Sequence, residues 1–211
     1  MKAASAEDEG SPVPLARSKA SFDIVALAAS AGGLKALSEV LTALPADFPA
    51  AIVVVQHLAP GHRSLMADIL SRRTALQVRQ AEEGTQLKAG EVYIAPPNRH
   101  LLVNPDGTLS LSQSELVHFV RPSADLLFES TAASFKNRAI AVVLSGTGSD
   151  GSMGVKAIKK MGGKVIAEDE RTAEFSGMPG AAAQTGSVDL ILPLEEIASA
   201  LVTLVFKRDV P

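Results

Sequence analysis

Six apolar residues in a row, Ile24-Val25-Ala26-Leu27-Ala28-Ala29, stop abruptly at Ser30-Ala31-Gly32-Gly33. So short an unbroken run, bounded by turn residues, fits a strand buried on both faces. Leu34, Ala36-Leu37, Val40-Leu41 and Leu44 then recur at helical spacing until Pro45, which predicts strand, glycine-containing turn, helix. The unit repeats: residues 51–55 form a second buried strand ending at Gln56-His57, followed by the loop Ala59-Pro60-Gly61 and a helix near 64–71. Shorter strands are predicted at 77–79 and 91–95, the latter closed by Pro96-Pro97. Residues 101–103 and 108–111 flank Asn104-Pro105-Asp106-Gly107 and read as an antiparallel hairpin, with Asp-Gly supplying the positive φ of a tight turn. Ser123 is a good N-cap for a helix through about Phe135. A third strong strand, 139–144, runs into Ser145-Gly146-Thr147-Gly148-Ser149-Asp150-Gly151 and a helix over 152–161. Strands at 164–167 and 188–192, separated by a short helix after Pro179, and a closing helix over 195–205 complete the pattern. Buried strands alternating with amphipathic helices predict an α/β fold: a three-layer, doubly wound, mostly parallel sheet of Rossmann-like type with an antiparallel hairpin attached. No repeat of fixed period appears.

Residues 1–20 are rich in Ala, Ser, Glu and Pro and have no apolar face to bury, so they read as a disordered tail or linker ahead of one domain over 21–211. A chain of 211 residues with 46% hydrophobic and 20% charged residues is globular by default and should bury about 70% of its unfolded surface. The absence of cysteine excludes a disulfide framework, a thiolate zinc site, an iron–sulfur cluster and a cysteine nucleophile. A formal charge of −3, with scattered basic residues and only 4% aromatics, lacks the basic stripe and stacking platforms of a nucleic-acid binder. No apolar run reaches the roughly 18–20 residues of a membrane span, and no secretion signal opens the chain, so a cytoplasmic address without membrane insertion is expected.

In an open α/β sheet, ligands bind beyond the carboxyl ends of the strands, where helix N-termini present free N–H groups. Three strand ends carry reactive groups: Ser30 after the first strand, His57 after the second, and Asp150 in the glycine-rich loop. Hydroxyl, imidazole and carboxylate on one rim are the parts of an acyl-transfer site, although their spacing does not prove that they meet. The small residues around Ser30 resemble a nucleophile elbow with its first glycine replaced by Ala28. Ser30 also reads as an N-cap, and both roles can hold. Asp150 reads equally as a turn- or helix-capping residue. Its loop lacks the Gly-Lys-Ser/Thr ending of a phosphate loop, and the second strand ends in Gln56-His57 where a dinucleotide site would place an acid. His62, in a Pro-Gly-His-Arg turn, is expected to face solvent; His100 and His118 have no partner that the sequence identifies, and no spacing suggests a metal site.

Taken together, Ala29-Ser30-Ala31-Gly32-Gly33, Val55-Gln56-His57, Tyr93-Ile94-Ala95-Pro96-Pro97, Arg121-Pro122-Ser123-Ala124-Asp125, the block from Leu144 to Gly151 and Gly177-Met178-Pro179 resemble the catalytic domain of the CheB-type chemotaxis protein-glutamate methylesterases. The resemblance runs in order from about Ile24 to Val205. It implies a serine esterase that removes methyl groups from glutamyl esters of methyl-accepting chemoreceptors, and in many members deamidates receptor glutamines, without a cofactor. By position it implies Ser30 as nucleophile, His57 as general base and acid, Asp150 as the orienting carboxylate, and the N–H groups of Ala31 and Thr147 as oxyanion donors. Ala28, Thr147 and Gly180 stand where the family favours Gly, Met and Arg. No phosphoacceptor receiver domain precedes the block, so control in cis is expected to be absent, with methyltransferase or sensor modules as further partners. A non-catalytic, partner-binding module that keeps the fold is the alternative; a nucleotide-binding domain rests on the glycine loops alone.

Overall fold

The computed structural model describes residues 20–57 and 64–206. The expected tail up to residue 19, the loop at 59–61 and His62 lie outside the described residues. Ala20, assigned to the tail by sequence, is buried, and the Ser21 N–H donates to the Val205 carbonyl at 3.0 Å. The strands are Ile24–Ala29 (β1), Ala51–Gln56 (β2), Gln77–Gln80 (β3), Glu91–Ile94 (β4), His100–Val103 (β5), Leu109–Ser112 (β6), Ala139–Val143 (β7), Lys164–Glu168 (β8) and Leu190–Leu192 (β9). The helices are Gly33–Thr42 (α1), Met66–Ser71 (α2), Ala124–Phe135 (α3), Ser152–Lys160 (α4), Gly177–Gln184 (α5) and Leu194–Phe206 (α6).

Seven strands pair in parallel in the order β3-β4-β2-β1-β7-β8-β9, while β5 and β6 form a separate antiparallel hairpin. All six residues of β1 are buried because the strand is covered on both faces. Its alternating side chains divide the core: Val25, Leu27 and Ala29 pack with residues of α1 and α6, whereas Ile24, Ala26 and Ala28 pack with residues of α3 and α4. Fully burying a Val, Leu or Ile contributes about 1.5–3 kcal/mol, so the rim is anchored on β1, β2 and β7, strands buried along their whole length. No helix among the described residues is long and apolar enough to cross a membrane.

The chain winds outward from β1 through β2 to one edge, then returns to β7 on the opposite side of β1. The crevice between the ends of β1 and β7 is therefore the topological switch point, where the loops diverge and leave room for a ligand. The antiparallel hairpin is present as expected: Asn104 N–H bonds the Thr108 carbonyl at 2.9 Å, Gly107 supplies the positive φ (80°) of the Asp-Gly pair, and the Asp106 carboxylate accepts from the N–H and hydroxyl of Thr108. One local reading is corrected. Helix α5 begins at Gly177, before Pro179, because the first turn has no intrahelical acceptor for the N–H that proline lacks.

Candidate active site

Strand register brings the first two candidates side by side. Ala29 of β1 is paired with Gln56 of β2, so the residues that follow, Ser30 and His57, leave the sheet as neighbours. The His57 N–H donates to the Ala29 carbonyl at 3.1 Å, and the Ser30 N–H donates to the Ser145 carbonyl at 3.0 Å on the β7 side. A buried amide fixes this pair: Gln56 Nε2 donates to both the Ser30 carbonyl (2.7 Å) and the His57 carbonyl (3.0 Å). Its Oε1 is buried without a hydrogen-bond partner among the described residues and lies against Gly33, where a Cβ would come within 2.0 Å.

The N-cap of α1 is Gly32, at φ 75°, not Ser30. The left-handed residue of this strand-to-helix turn is thus the glycine, and Ser30 is not among the non-glycine residues with positive φ, as the nucleophile of a strained elbow would be. Gly32 also has no room for a side chain, since a Cβ would lie 2.7 Å from Ser145 Oγ. That hydroxyl donates to the Ala31 carbonyl at 2.8 Å and accepts from the Phe175 N–H, tying the serine turn to the glycine-rich loop and to the approach of α5. Gly146 packs against Ser30 Cβ and Met178, and Gly177 against the backbone of Gly146 and Gly148. Gly146 therefore serves close packing, whereas Gly148, at φ 83° with open space around it, serves the turn. The N–H groups of Ala31 and Thr147, expected as oxyanion donors, make no hydrogen bond among the described residues.

Asp150, 3% exposed, meets His57 at 2.8 Å between Oδ2 and Nε2. The same oxygen accepts from the Ala124 N–H at 2.6 Å; Oδ1 accepts from the Ser123 hydroxyl at 2.9 Å and the Asp125 N–H at 3.1 Å. Asp150 is therefore a capping residue as well, but of α3 rather than of its own helix, and the helix dipole favours its negative charge. Burial opposes ionisation of this carboxyl, but the hydrogen bonds from His57, Ala124 and Asp125 outweigh it and hold its pKa below the ordinary carboxylate value. With Nε2 committed to Asp150, Nδ1 of the imidazole has no hydrogen-bond partner among the described residues. Among the described residues no hydrogen bond joins Ser30 Oγ to His57. Unliganded sites commonly hold such pairs loosely.

Three serines lie near this centre, and exposure separates them. Ser123 is fully buried behind the carboxylate, and Ser145 is buried within the rim, while Ser30 is partly exposed at the crevice. Ser123 is, as its sequence suggested, the N-cap of α3, accepting from the Leu126 N–H. Four further residues support the site. His100, fully buried, accepts from the Ser123 N–H through Nδ1 (3.1 Å) and donates from Nε2 to the Glu115 carbonyl (3.0 Å), and burial depresses its pKa, so it serves as a neutral strut. Asp125 caps α4 by accepting from the N–H groups of Met153 (2.9 Å) and Gly154 (2.7 Å), and its Oδ2 meets His118 Nε2 at 3.0 Å. Burial raises the Asp125 pKa, aided by the nearby Asp150 charge and opposed by the bonds to Gly154 and Met153 and by His118. Glu168, at the end of β8, accepts from the Ser145 N–H at 2.8 Å. Gln56 is the fourth. Gln56 and Asp125 lie in the motif blocks and His100 and Glu168 outside them, and their partners come from distant segments, so no sequence spacing marks them.

His118, Asp125 and Asp150 offer ligand atoms within 4.8 Å of one another. Both oxygens of Asp150 and Oδ1 of Asp125 are already aimed at by N–H or O–H donors, which leaves a cation few free lone pairs.

The family model described as CheB methylesterase matches residues 25–201. A putative protein-glutamate methylesterase/protein-glutamine glutaminase of Leptospira interrogans is 40% identical over 183 residues, covering 87% of this chain and 95% of that protein. The protein-glutamate methylesterase FrzG of Myxococcus xanthus is 43% identical over 180 residues, covering 85% of this chain and 54% of FrzG. The crystal structure of the Thermotoga maritima CheB methylesterase catalytic domain superposes with a TM-score of 0.84 at 39% identity, over 88% of this chain and all of that domain.

Proposed function

Because the chain belongs to the CheB methylesterase family, we propose that it hydrolyses glutamyl methyl esters of chemoreceptors, and deamidates receptor glutamines, through Ser30, His57 and Asp150, with residues 21–211 as one catalytic domain. The observation that carries this reading is the 2.8 Å contact between His57 Nε2 and a buried, ionised Asp150, with Ser30 leaving the adjacent strand next to His57 in the strand register.

Asp150 keeps the proton of the neutral imidazole on Nε2, so the lone pair is on Nδ1, the nitrogen that can serve Ser30. As Ser30 Oγ attacks the ester carbonyl, its proton passes to Nδ1, and Asp150 stabilises the resulting imidazolium. The carbonyl oxygen becomes an oxyanion, received by the N–H groups of Ala31 and Thr147 near the N-terminus of α1. Collapse breaks the bond to methoxide, which takes the proton from Nδ1 and leaves as methanol. Water then attacks the acyl-enzyme with Nδ1 again accepting its proton, Ser30 is released, and the product is a glutamyl carboxylate. With a glutamine substrate the leaving group is ammonia, and the proton path is unchanged.

The test is methanol release from methylated receptor membranes by the wild-type chain, Ser30→Ala, His57→Ala and the double variant. Both single variants should lose essentially all activity, and the double variant should lose little more, since the two groups act as a unit. Release by Ser30→Ala, or multiplication of the two single losses in the double variant, would exclude this mechanism. No release by the folded wild type would favour a partner-binding role.

A further inference from the structure

The segment between β6 and α3 contains a turn whose backbone runs against its sequence. Val117 and Val120 exchange both backbone hydrogen bonds, at 3.2 and 2.9 Å, around His118 at φ 50° and Phe119 at φ 64°. Two consecutive left-handed residues make the mirror-image turn that favours Asn-Gly, yet here they are an imidazole and a phenyl ring. Such strain persists where the surroundings over-determine it, and it clusters at functional sites. The surroundings are visible: His118 Nε2 sits 3.0 Å from Oδ2 of the buried Asp125, whose own N–H holds Asp150. On the outside, Arg121 donates to Asn98 Oδ1 and to the carbonyls of Gln113 and Ser114.

The turn thus ties one residue, His118, through its Nε2 to the support of the Asp150 cluster while leaving its side chain 45% exposed, and turns the next outward. Phe119 is 93% exposed and Leu116 54% exposed. With Val120 and Pro122 they line a cavity of about 200 Å³ that His57 also lines. Among the described residues that line it, Arg121 and Asn98 are paired with each other and Arg121 also with the two carbonyls, which leaves the apolar side chains of Leu116, Phe119, Val120 and Pro122 on this wall.

From this geometry we propose that Phe119 and Leu116 form a substrate-docking knob that seats the apolar side chains flanking the glutamyl ester on the protein substrate, and that the His118–Asp125 pair holds the knob in place. The proposal rests on the esterase reading above, which fixes the occupant. A glutamyl side chain separates its ester from the main chain by only two methylenes, so delivering it to His57 and Ser30 lays the substrate's neighbouring residues on the wall of this cavity. An exposed aromatic anchored on a rigid turn is the kind of residue that dominates protein recognition.

The test uses the whole chain with Phe119→Ser and Phe119→Leu, measuring steady-state kinetics on methylated receptor membranes and on N-acetylglutamate γ-methyl ester, and equilibrium binding of the same membranes in a Ser30→Ala background. Losing one central aromatic contact weakens binding by about tenfold or more. Phe119→Ser should therefore raise KM and Kd for the receptor by about that factor, with kcat much less affected, and the loss of kcat/KM should be far larger for the receptor than for the small ester. Phe119→Leu, which keeps an apolar surface, should recover most of the loss. Equal losses on both substrates, or an unchanged receptor KM and Kd, would overturn the proposal. If the wild type cleaves neither substrate, the esterase reading fails on its own, and the binding arm still decides the knob: weaker binding by Phe119→Ser supports it and unchanged binding refutes it.

Discussion

Asp150→Asn removes a charge and almost no volume, so its consequences can be worked from the four hydrogen bonds that converge on the carboxylate. If the new NH₂ replaces Oδ1, it confronts the Asp125 N–H, although the Ser123 hydroxyl can rotate to accept. If it replaces Oδ2, it confronts the Ala124 N–H at 2.6 Å, and His57 must carry its proton on Nδ1 so that Nε2 can accept. Either way one buried backbone donor loses its acceptor, at about 1–3 kcal/mol. Loss of the anion at the α3 N-terminus adds up to about 2 kcal/mol. The variant should thus be roughly 1–5 kcal/mol less stable at neutral pH, a fall in melting temperature of roughly 2–20 °C for a chain of this size. In the second orientation the tautomer switch places a proton on the nitrogen that must act as base, and in the first the imidazolium still loses its anionic partner, so kcat for ester hydrolysis should fall in both, on the order of 10³–10⁴-fold where the tautomer switches. The folded pKa of Asp150 is lowered, so the stability it contributes is present above the unfolded value of about 3.9 and is lost as pH falls through the folded value. The wild-type advantage over Asp150→Asn, measured by urea denaturation, should therefore shrink across that acid range. An equally stable variant at pH 7, an advantage that grows on acidification, or a kcat loss below about tenfold would refute the reasoning.

Other expectations follow from packing and polar contacts. Gly33→Ala would put a Cβ 2.0 Å from Gln56 Oε1 and 2.7 Å from Ala29 Cβ, so it should cost about 1–3 kcal/mol or more by overpacking. It should also lower kcat by displacing the amide that holds the Ser30 and His57 carbonyls; denaturation and kinetics on one preparation would show both losses. Gly180→Arg meets nothing within 4 Å of its new Cβ and lies inside α5, so it should raise stability by about 0.5–1 kcal/mol through helix propensity alone. A destabilised Gly180→Arg in a thermal melt would contradict the open geometry. Ser123→Ala removes the cap of α3 and one bond to Asp150; it should cost about 1 kcal/mol or more and reduce kcat far less than Asp150→Asn, as urea titration and methanol release would measure.

Much of this protein was legible in the chain because its local patterns and its global fold agree. Short apolar runs alternating with helical periodicity fix a parallel, doubly wound sheet, since only strands covered on both faces read as continuous hydrophobic segments. In such a sheet the reactive ends are predetermined, which is why Ser30, His57 and Asp150 could be singled out by position on their strands. Their mutual geometry was not legible. The neighbouring exit of Ser30 and His57 depends on the β1–β2 register, and the choice of Nε2 for Asp150 depends on where α3 docks. The role of Ser30 relative to α1 went to Gly32, because only the structure shows which residue takes the left-handed φ. Gln56, His100, Asp125 and Glu168 are ordinary polar residues in sequence. They become supports only because burial leaves each to satisfy its hydrogen bonds with a group brought from a distant segment. Periodicity and turn chemistry are local and survive in one dimension. The pairing of buried polar groups is a property of packed surfaces, and tertiary structure alone decides it.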